Sequence, residues 1–227
     1  MEEKFDYYDV VGTLVPGMLV TTGSWVLLTW AGVTVTVPAI GDALAVVIFL
    51  GLAFFSGAVV QGMGGFAEPL FYKTWGGMPS SVIWSGTDSV LGESTIGRIR
   101  QALRTRLASI SGQATPEAND SDLFQYARSL AVRYDLGRVH RFNALYAYHR
   151  NCLAGILMLL LLDAVIGVVV WYNSISTSSF VWSASALAAL ALLFWWRAKR
   201  RAYSYVREVL LMAEQAPVER GRPQQDE

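Results

Sequence analysis

The sequence predicts an all-α membrane protein with four transmembrane helices and an α-helical cytoplasmic module between the second and the third. Of its 227 residues, 53% are hydrophobic and only 16% are charged. Four apolar blocks carry most of this bias, and each has roughly the 20 residues needed to cross a hydrocarbon core about 30 Å thick. The equal totals of basic and acidic residues, 18 each, argue against a strongly basic nucleic-acid binder.

The four predicted spans follow one another in two hairpins. The first covers about residues 10–31 and is interrupted only by Pro16 and Gly17, which we expect to kink the helix, because a neighbouring helix can satisfy the carbonyl that proline frees. The alternative is that an apolar block is a buried helix of a soluble domain. This alternative is strongest for the first block, which contains threonine, glycine and proline. The other spans are about 40–60, 152–172 and 180–196, and aromatic residues typical of the headgroup level lie near span ends: Trp25, Trp30, Trp171, Tyr172, Trp182, Trp195 and Trp196.

The basic residues predict the orientation and the domain limits. Both short connections, 32–39 and 173–179, lack charge, whereas ten of the 18 basic residues lie between Lys73 and Arg150. The positive-inside rule therefore places the long loop, and with an even number of spans both termini, in the cytoplasm. The predicted parts are an N-terminal segment with the first hairpin (1–65), a cytoplasmic module (66–150), a second hairpin (151–200), and a C-terminal helix with a disordered tail (201–227).

Two amphipathic helices are predicted in the cytoplasmic module. The first covers about 94–111, with apolar residues three and four apart: Ile96, Ile99, Leu103, Leu107 and Ile110. The second begins near Ser121, where Asp120, Ser121 and Asp122 supply side chains that can cap the start of a helix. Its apolar stripe consists of Leu123, Phe124, Ala127, Leu130, Ala131 and Tyr134. Because no proline follows before Tyr172, we expect this helix to continue into the third span, with Gly137 as its hinge.

Arginine and aromatic residues of the module are the predicted ligand-binding set. Guanidinium groups and aromatic rings together hold phosphates and stack on bases, so a nucleotide or an oligonucleotide is the ligand that they favour. The alternatives for the first helix are contact with anionic lipid headgroups and a solvated polar face over a small core. The alternative at the entry to the third span is ordinary interfacial anchoring. The predicted residues are Arg98, Arg100, Arg104, Arg138, Arg141, Tyr146 and Arg150.

No metal or cofactor site is predicted. His140 and His149 are nine residues apart, which puts them on opposite sides of a helix. The single cysteine, Cys152, excludes an intramolecular disulfide and a cysteine metal cluster. No nucleophile motif, metal-binding pair or phosphate-binding loop is present, so we expect the protein not to be an enzyme.

Asp163 is the predicted intramembrane site. It lies about 18 Å along the helix from Asn151, close to the middle of the bilayer, where a carboxylate costs roughly 2.5–3.5 kcal/mol. One interpretation is that Asp163 lines a pathway or forms a contact between subunits. The other is a protonated carboxyl group bonded to a serine or threonine of span one or four.

The end of the second span carries two further predictions. Ala53, Gly57 and Gln61 recur every four residues, which predicts a helix-packing face on which Gln61 bonds across to a neighbour. The glycines that follow the span predict a flexible exit from the membrane: Gly62, Gly64 and Gly65.

Short motifs spread over most of the chain resemble a widespread group of poorly characterised bacterial four-span membrane proteins. The motifs are Tyr8-Asp9, Leu14-Val15-Pro16-Gly17, Glu68-Pro69, Trp75-Gly76-Gly77-Met78-Pro79-Ser80, Arg141-Phe142-Asn143-Ala144-Leu145-Tyr146 and Arg150-Asn151. The resemblance implies the bacterial inner membrane and a role in anti-phage defence as an effector paired with a cytoplasmic sensor or a nucleotide-synthesising protein. It implies no catalytic residues.

Two functions follow as expectations. The first is a homo-oligomeric channel or membrane-disrupting effector, gated by a nucleotide, nucleic-acid or protein signal at the cytoplasmic module; several copies are required because four spans enclose little room. The second is a non-conducting scaffold or sensor that tethers a cytoplasmic partner. A transporter is disfavoured because the two span pairs show no internal repeat.

Overall fold

The computed structural model describes residues 7–33, 41–86, 91–111, 118–134, 137–172 and 178–217, which form seven helices and no strand. Four of the helices are long and apolar enough to cross a membrane, so the predicted all-α class and the four long apolar helices are confirmed. In chain order the helices are α1 (Tyr7–Trp30), α2 (Asp42–Trp75), α3 (Pro79–Trp84), α4 (Glu93–Ser111), α5 (Asp120–Tyr134), α6 (Arg138–Tyr172) and α7 (Ser178–Gln215).

Three of the long helices extend well beyond the predicted spans. Helix α2 has 34 residues, α6 has 35 and α7 has 38, because the polar residues after the apolar blocks of α2 and α7, and those before the apolar block of α6, are also helical. The predicted flexible exit is wrong, since all three glycines lie inside α2. A glycine costs a helix only about 1 kcal/mol relative to alanine, so three glycines do not prevent α2 from continuing as helix.

The chain divides into two compact units. Among the described residues, the first unit takes those up to Phe71 and those of Ala144–Arg201, and the second takes Tyr72–Asn143 and those from Ala202 onward. Helices α2, α6 and α7 therefore contribute residues to both units.

Within the first unit, glycines let α1 and α2 approach to backbone contact. A Cβ atom on Gly17 would lie 1.7 Å from the Ala53 carbonyl oxygen, and one on Gly57 would lie 2.0 Å from the Thr13 carbonyl oxygen. The Thr13 hydroxyl donates to Gln61 Oε1 at 3.1 Å. The predicted packing face of α2 thus contacts α1 within the same chain.

The second unit has its own hydrophobic core. It includes the predicted stripe residues of α4 and α5, with Phe124, Tyr134 and Leu107 packed at its edge, together with residues of α7; the side chain of Ile110 lies outside the described residues. The core residues that α7 contributes are Tyr203, Val206, Val209, Leu210 and Ala213. The core of the second unit therefore forms where the two predicted amphipathic faces are buried together with α7.

Two details of the helix ends differ from the sequence predictions. The side chain of Asn119, rather than Asp120–Asp122, caps α5, since its Oδ1 accepts the Asp122 backbone N–H at 2.9 Å. Helices α5 and α6 are separate helices, and Gly137, at φ +91°, precedes α6. Gly137 lies outside both helices, so the expected continuous helix is wrong.

Candidate functional site

A buried polar cluster joins α2 and α6 within the first unit. We call Glu68, Tyr146, Arg150 and Asn151 the α2–α6 cluster. The Tyr146 hydroxyl donates to the Glu68 carboxylate, and Arg150 Nη1 lies 3.5 Å from the same oxygen. The Arg150 guanidinium group also lies 5.7 Å from the Tyr146 ring centroid. The Arg150 and Glu68 side chains are only 15% and 24% exposed, so this is a largely desolvated ion pair.

Asn151 extends the cluster to α1 by satisfying a carbonyl group that proline leaves free. Pro16 has no N–H, so the Gly12 carbonyl, four residues earlier in α1, lacks its usual helical donor. Asn151 Nδ2 donates to this oxygen at 3.1 Å, and Asn151 Oδ1 accepts from Arg150 Nε and Nη2 at 3.3 Å each. The expectation that a neighbouring helix satisfies the freed carbonyl is therefore confirmed, and α6 supplies the donor.

Gly64 makes room for this arrangement. A Cβ atom at Gly64 would lie 3.0 Å from Asn151 Oδ1 and 3.4 Å from Arg150 Nε. The absence of a side chain on this side of α2 lets α6 bring its two polar residues close to the α2 backbone.

Replacing Asn151 by leucine is expected to destabilise the protein by about 2 kcal/mol, because a buried acceptor without its donor costs about 1–3 kcal/mol. The same replacement in a Pro16→Ala background should cost at least about 1 kcal/mol less, since an alanine N–H restores the bond inside α1. Reversible unfolding in mixed detergent micelles measures both costs. Equal costs in the two backgrounds would contradict the assigned role of Asn151.

Asp163 is paired within the chain. Its carboxyl group accepts a hydrogen bond from the Ser183 hydroxyl of α7, and the residue is only 2% exposed. Ser183 also lies 3.0 Å from the Phe180 carbonyl oxygen. The second interpretation of Asp163 expected a serine or threonine of span one or four as its partner, and Ser183 belongs to span four.

The predicted ligand-binding residues fall into both units. Tyr146 and Arg150 belong to the first unit, and the five others belong to the second. In the second unit, Arg98 Nε lies 2.6 Å from Glu214 Oε1, and Arg100 contacts Asp120 Oδ2 at 3.3 Å and the Trp84 carbonyl oxygen at 2.9 Å. Arg138 forms a two-point pair with Glu208 at 2.9 and 3.2 Å.

Arg104 and Arg141 are the exposed remainder of that set. Both side chains are exposed, and no described residue pairs with either of them. Most of the predicted arginines therefore hold the fold together, and these two remain accessible to an anionic ligand.

Two surface grooves lie in the second unit. One, of about 670 Å³, is lined by residues of α3 and α5, including Trp84, Phe124 and Arg128. The other, of about 450 Å³, lies along α4 and is lined by Arg98 and Arg106. Of the predicted ligand-binding residues, only Arg98 lines either of these two grooves.

Arg106, absent from the predicted set, caps the end of α7. Its guanidinium group donates to three carbonyl oxygens, those of Ala213 at 2.7 Å, Glu214 at 3.1 Å and Ala216 at 2.7 Å. The last carbonyls of a helix have no partners inside the helix and carry its negative dipole end, so a cation there is stabilising. Arg106 and Arg98 together fasten the end of α7 to α4.

Replacing Arg106 by glutamine is expected to lower the free energy of unfolding by about 2 kcal/mol, because charge-assisted hydrogen bonds contribute about 1.5–3 kcal/mol. The matched control is Arg104→Gln on the same helix, which should stay within about 0.5 kcal/mol because the side chain is exposed. Thermal unfolding followed by circular dichroism compares the two. Similar losses for both variants would refute the capping role.

Histidine, cysteine and acidic side chains are the candidate metal ligands of the chain. Among the described residues, no group of three histidine, cysteine, aspartate or glutamate side chains is placed to hold a metal. His149 Nδ1 lies 2.6 Å from the Leu145 carbonyl oxygen, and its ring lies 5.9 Å from that of Phe194, so His149 takes part in helix packing.

Comparisons with protein-family models, curated proteins and solved structures give no match.

Proposed function

We propose that the protein is a homo-oligomeric effector or channel of the bacterial inner membrane, gated by a nucleotide, nucleic-acid or protein signal received on its cytoplasmic side. The supporting observation is that α2, α6 and α7 each contribute residues to both compact units. A ligand that changes the packing of the second unit acts on helices that also form the membrane spans. Both termini lie in the cytoplasm, as the distribution of basic residues favours.

The exposed arginines are the proposed contacts for the signal. Arg104 and Arg141 are exposed cations in the second unit, so an anionic ligand reaches them without breaking an internal ion pair. In the proposed biological setting, anti-phage defence, the signal comes from a cytoplasmic sensor or a nucleotide-synthesising protein. The sequence motifs that resemble bacterial four-span proteins support this setting.

A non-conducting scaffold or sensor is the second candidate. Asp163 bonds to Ser183, and Arg150 pairs with Glu68, so three ionisable side chains on the long helices already have partners within one chain. A protein of this kind needs only the second unit as a docking module for a cytoplasmic partner.

Ion flux from liposomes distinguishes the two candidates. We expect the purified protein to release ions when oligonucleotides or cyclic nucleotides are added, and Arg104→Glu with Arg141→Glu to reduce the response at least tenfold. Asp163→Asn should leave flux unchanged, because asparagine keeps an acceptor for the Ser183 hydroxyl. Vesicles that stay tight under every condition would reject the channel in favour of the scaffold.

A further inference from the structure

One side of α7 changes from apolar to cationic over about three helical turns. Leu190, Leu193, Arg197 and Arg201 follow one another at spacings of three and four residues, which places them on one side of the helix. We call this side the α7 strip. Leu190 and Leu193 are 39% and 45% exposed, Arg197 is exposed and Arg201 is partly exposed. The α7 strip therefore presents two apolar side chains followed directly by two guanidinium groups.

The change from apolar to cationic falls at the edge of the hydrocarbon core. Helix α7 begins at Ser178, and a core about 30 Å thick takes about 20 residues of helix, so the core ends near Arg197. Leu193 then lies about 6 Å inside this edge, and Arg201 lies about 6 Å outside it. Because the headgroup region on each side of a bilayer is roughly 5–8 Å deep, both arginines lie at the depth of the lipid phosphates.

An aromatic and a third cationic side chain lie beside the α7 strip at the same depth. The Arg200 guanidinium carbon lies 5.6 Å from the centroid of the Trp196 ring. Trp196 is 50% exposed, and tryptophan rings at the ends of spans sit among the lipid headgroups. Ala198, by contrast, is completely buried, so α7 turns its opposite side toward the protein. The cationic side is thus the side that faces the surroundings.

The two arginines of the α7 strip have no counter-charge inside the protein. No described residue forms an ion pair or a hydrogen bond with Arg197 or Arg201. Among the described residues that α6 and α7 give to the first unit, the carboxyl group is that of Asp163, which bonds to Ser183. Ser183 lies about 21 Å along α7 before Arg197, too far for Asp163 to neutralise the arginines. The neutralising charge must therefore come from outside the chain.

The α7 strip also defines the chemistry of its occupant. An anionic group must meet Arg197 and Arg201, and an apolar part must reach Leu190, about 10 Å inside the core edge. A soluble anion such as a free phosphate or a nucleotide has no apolar part of that length. A phospholipid has both parts in the required order, because its phosphate lies at the headgroup level and its acyl chains lie in the core. Basic clusters directly after a membrane span are typical sites for anionic lipids.

We propose that the α7 strip binds an anionic phospholipid, with its phosphate on Arg197 and Arg201 and an acyl chain along Leu190 and Leu193. The headgroup carries a net negative charge, because a zwitterionic headgroup would bring its own cation beside the two arginines. This inference goes beyond the proposed function, and it holds equally for a channel and for a scaffold.

Lipid binding to the purified full-length protein in detergent tests the proposal. We expect phosphatidylglycerol to bind the wild-type protein at least about tenfold more tightly than phosphatidylcholine, as counted by native mass spectrometry. A basic residue near an anionic lipid surface contributes about fivefold in affinity, so Arg197→Gln with Arg201→Gln should weaken phosphatidylglycerol binding about 25-fold. Equal binding of the two lipids to the wild-type protein would overturn the proposal.

The matched control removes two positive charges elsewhere. Arg104 and Arg207 are exposed and do not belong to the α7 strip, and Arg207 lies about 15 Å along α7 beyond Arg197, past the headgroup level. Arg104→Gln with Arg207→Gln should therefore keep the preference for phosphatidylglycerol. An equal loss in both double variants would show that total charge attracts the lipid, which would refute a site on the α7 strip.

Thermal unfolding separates a lipid from a free anion. A ligand that binds only the folded state raises its stability, so phosphatidylglycerol should raise the Tm of the wild-type protein more than that of Arg197→Gln with Arg201→Gln. Without lipid, the two proteins should unfold at the same temperature. Inorganic phosphate at the same concentration should leave both Tm values unchanged. If inorganic phosphate stabilises the wild-type protein as much as the lipid does, the acyl chain has no role and the lipid is the wrong occupant.

Discussion

Replacing Gly57 by alanine is expected to destabilise the protein by about 3 kcal/mol. The added methyl group would lie 2.0 Å from the Thr13 carbonyl oxygen, a backbone atom that moves only if α1 moves away from α2. Overpacking of this kind costs about 1–3 kcal/mol and sometimes more, and here the displacement also weakens the bond between Thr13 and Gln61. Unfolding in mixed detergent micelles, with wild type as the reference, measures the loss.

Gly51 on the same helix is the matched control for this experiment. A Cβ atom at Gly51 would meet no heavy atom within 4 Å, so Gly51→Ala should be neutral or stabilise by up to about 1 kcal/mol through its higher helix propensity. The two substitutions are chemically identical and are expected to have opposite effects. Equal effects would show that α1 and α2 do not approach as closely as described.

Replacing Glu68 by alanine is expected to cost about 3 kcal/mol. The Arg150 guanidinium group, only 15% exposed, would lose its carboxylate partner, and the Tyr146 hydroxyl would lose its acceptor. Breaking a buried ion pair from one side costs about 3–5 kcal/mol, and the partial exposure of Glu68 places the expected value at the lower end. Chemical denaturation in detergent measures the change.

The double variant Glu68→Ala with Arg150→Met tests the cause of that loss. If the stranded charge is responsible, the double variant should be more stable than Glu68→Ala alone, because it removes the charge and keeps an apolar side chain of similar length. Additive losses would assign the effect to packing. Arg197→Gln, an exposed cation on α7, controls for the loss of positive charge and should change stability by less than about 0.5 kcal/mol.

Hydrophobic pattern predicted the helices better than their ends. The apolar blocks identified all four long helices, and the spacing of Ile96, Ile99 and Leu103 identified the buried face of α4. The helical end of α2 outside its apolar block was missed, and the C-terminal helix was predicted without its continuity with the fourth span, because polar residues continue a helix as readily as they leave one. Whether the helix continues or ends depends on what the residues after the apolar block contact. Leu210 of α7, for example, is buried in the core of the second unit.

One contact of the candidate site could be predicted in part, because a proline inside a helix leaves a carbonyl group that requires a donor from elsewhere. Pro16 frees the Gly12 carbonyl by covalent structure, so the sequence shows that a donor is required. It does not show which residue supplies it, since Asn151 lies 139 positions away. The pairing of Arg98 with Glu214, 116 residues apart, was out of reach for the same reason. Charge pattern identifies arginines, whereas their partners depend on how the chain folds.

The dependence of α1 on Asn151 has a consequence for how the protein is made. Asn151 is synthesised 139 residues after Gly12, a delay on the order of 10 s at ordinary rates of translation. Until α6 has been made, the Gly12 carbonyl lacks the donor that it has in the folded chain. The hydrogen bonding of α1 is therefore completed by a part of the chain that the ribosome supplies late, and the first two helices alone do not contain everything that their fold uses.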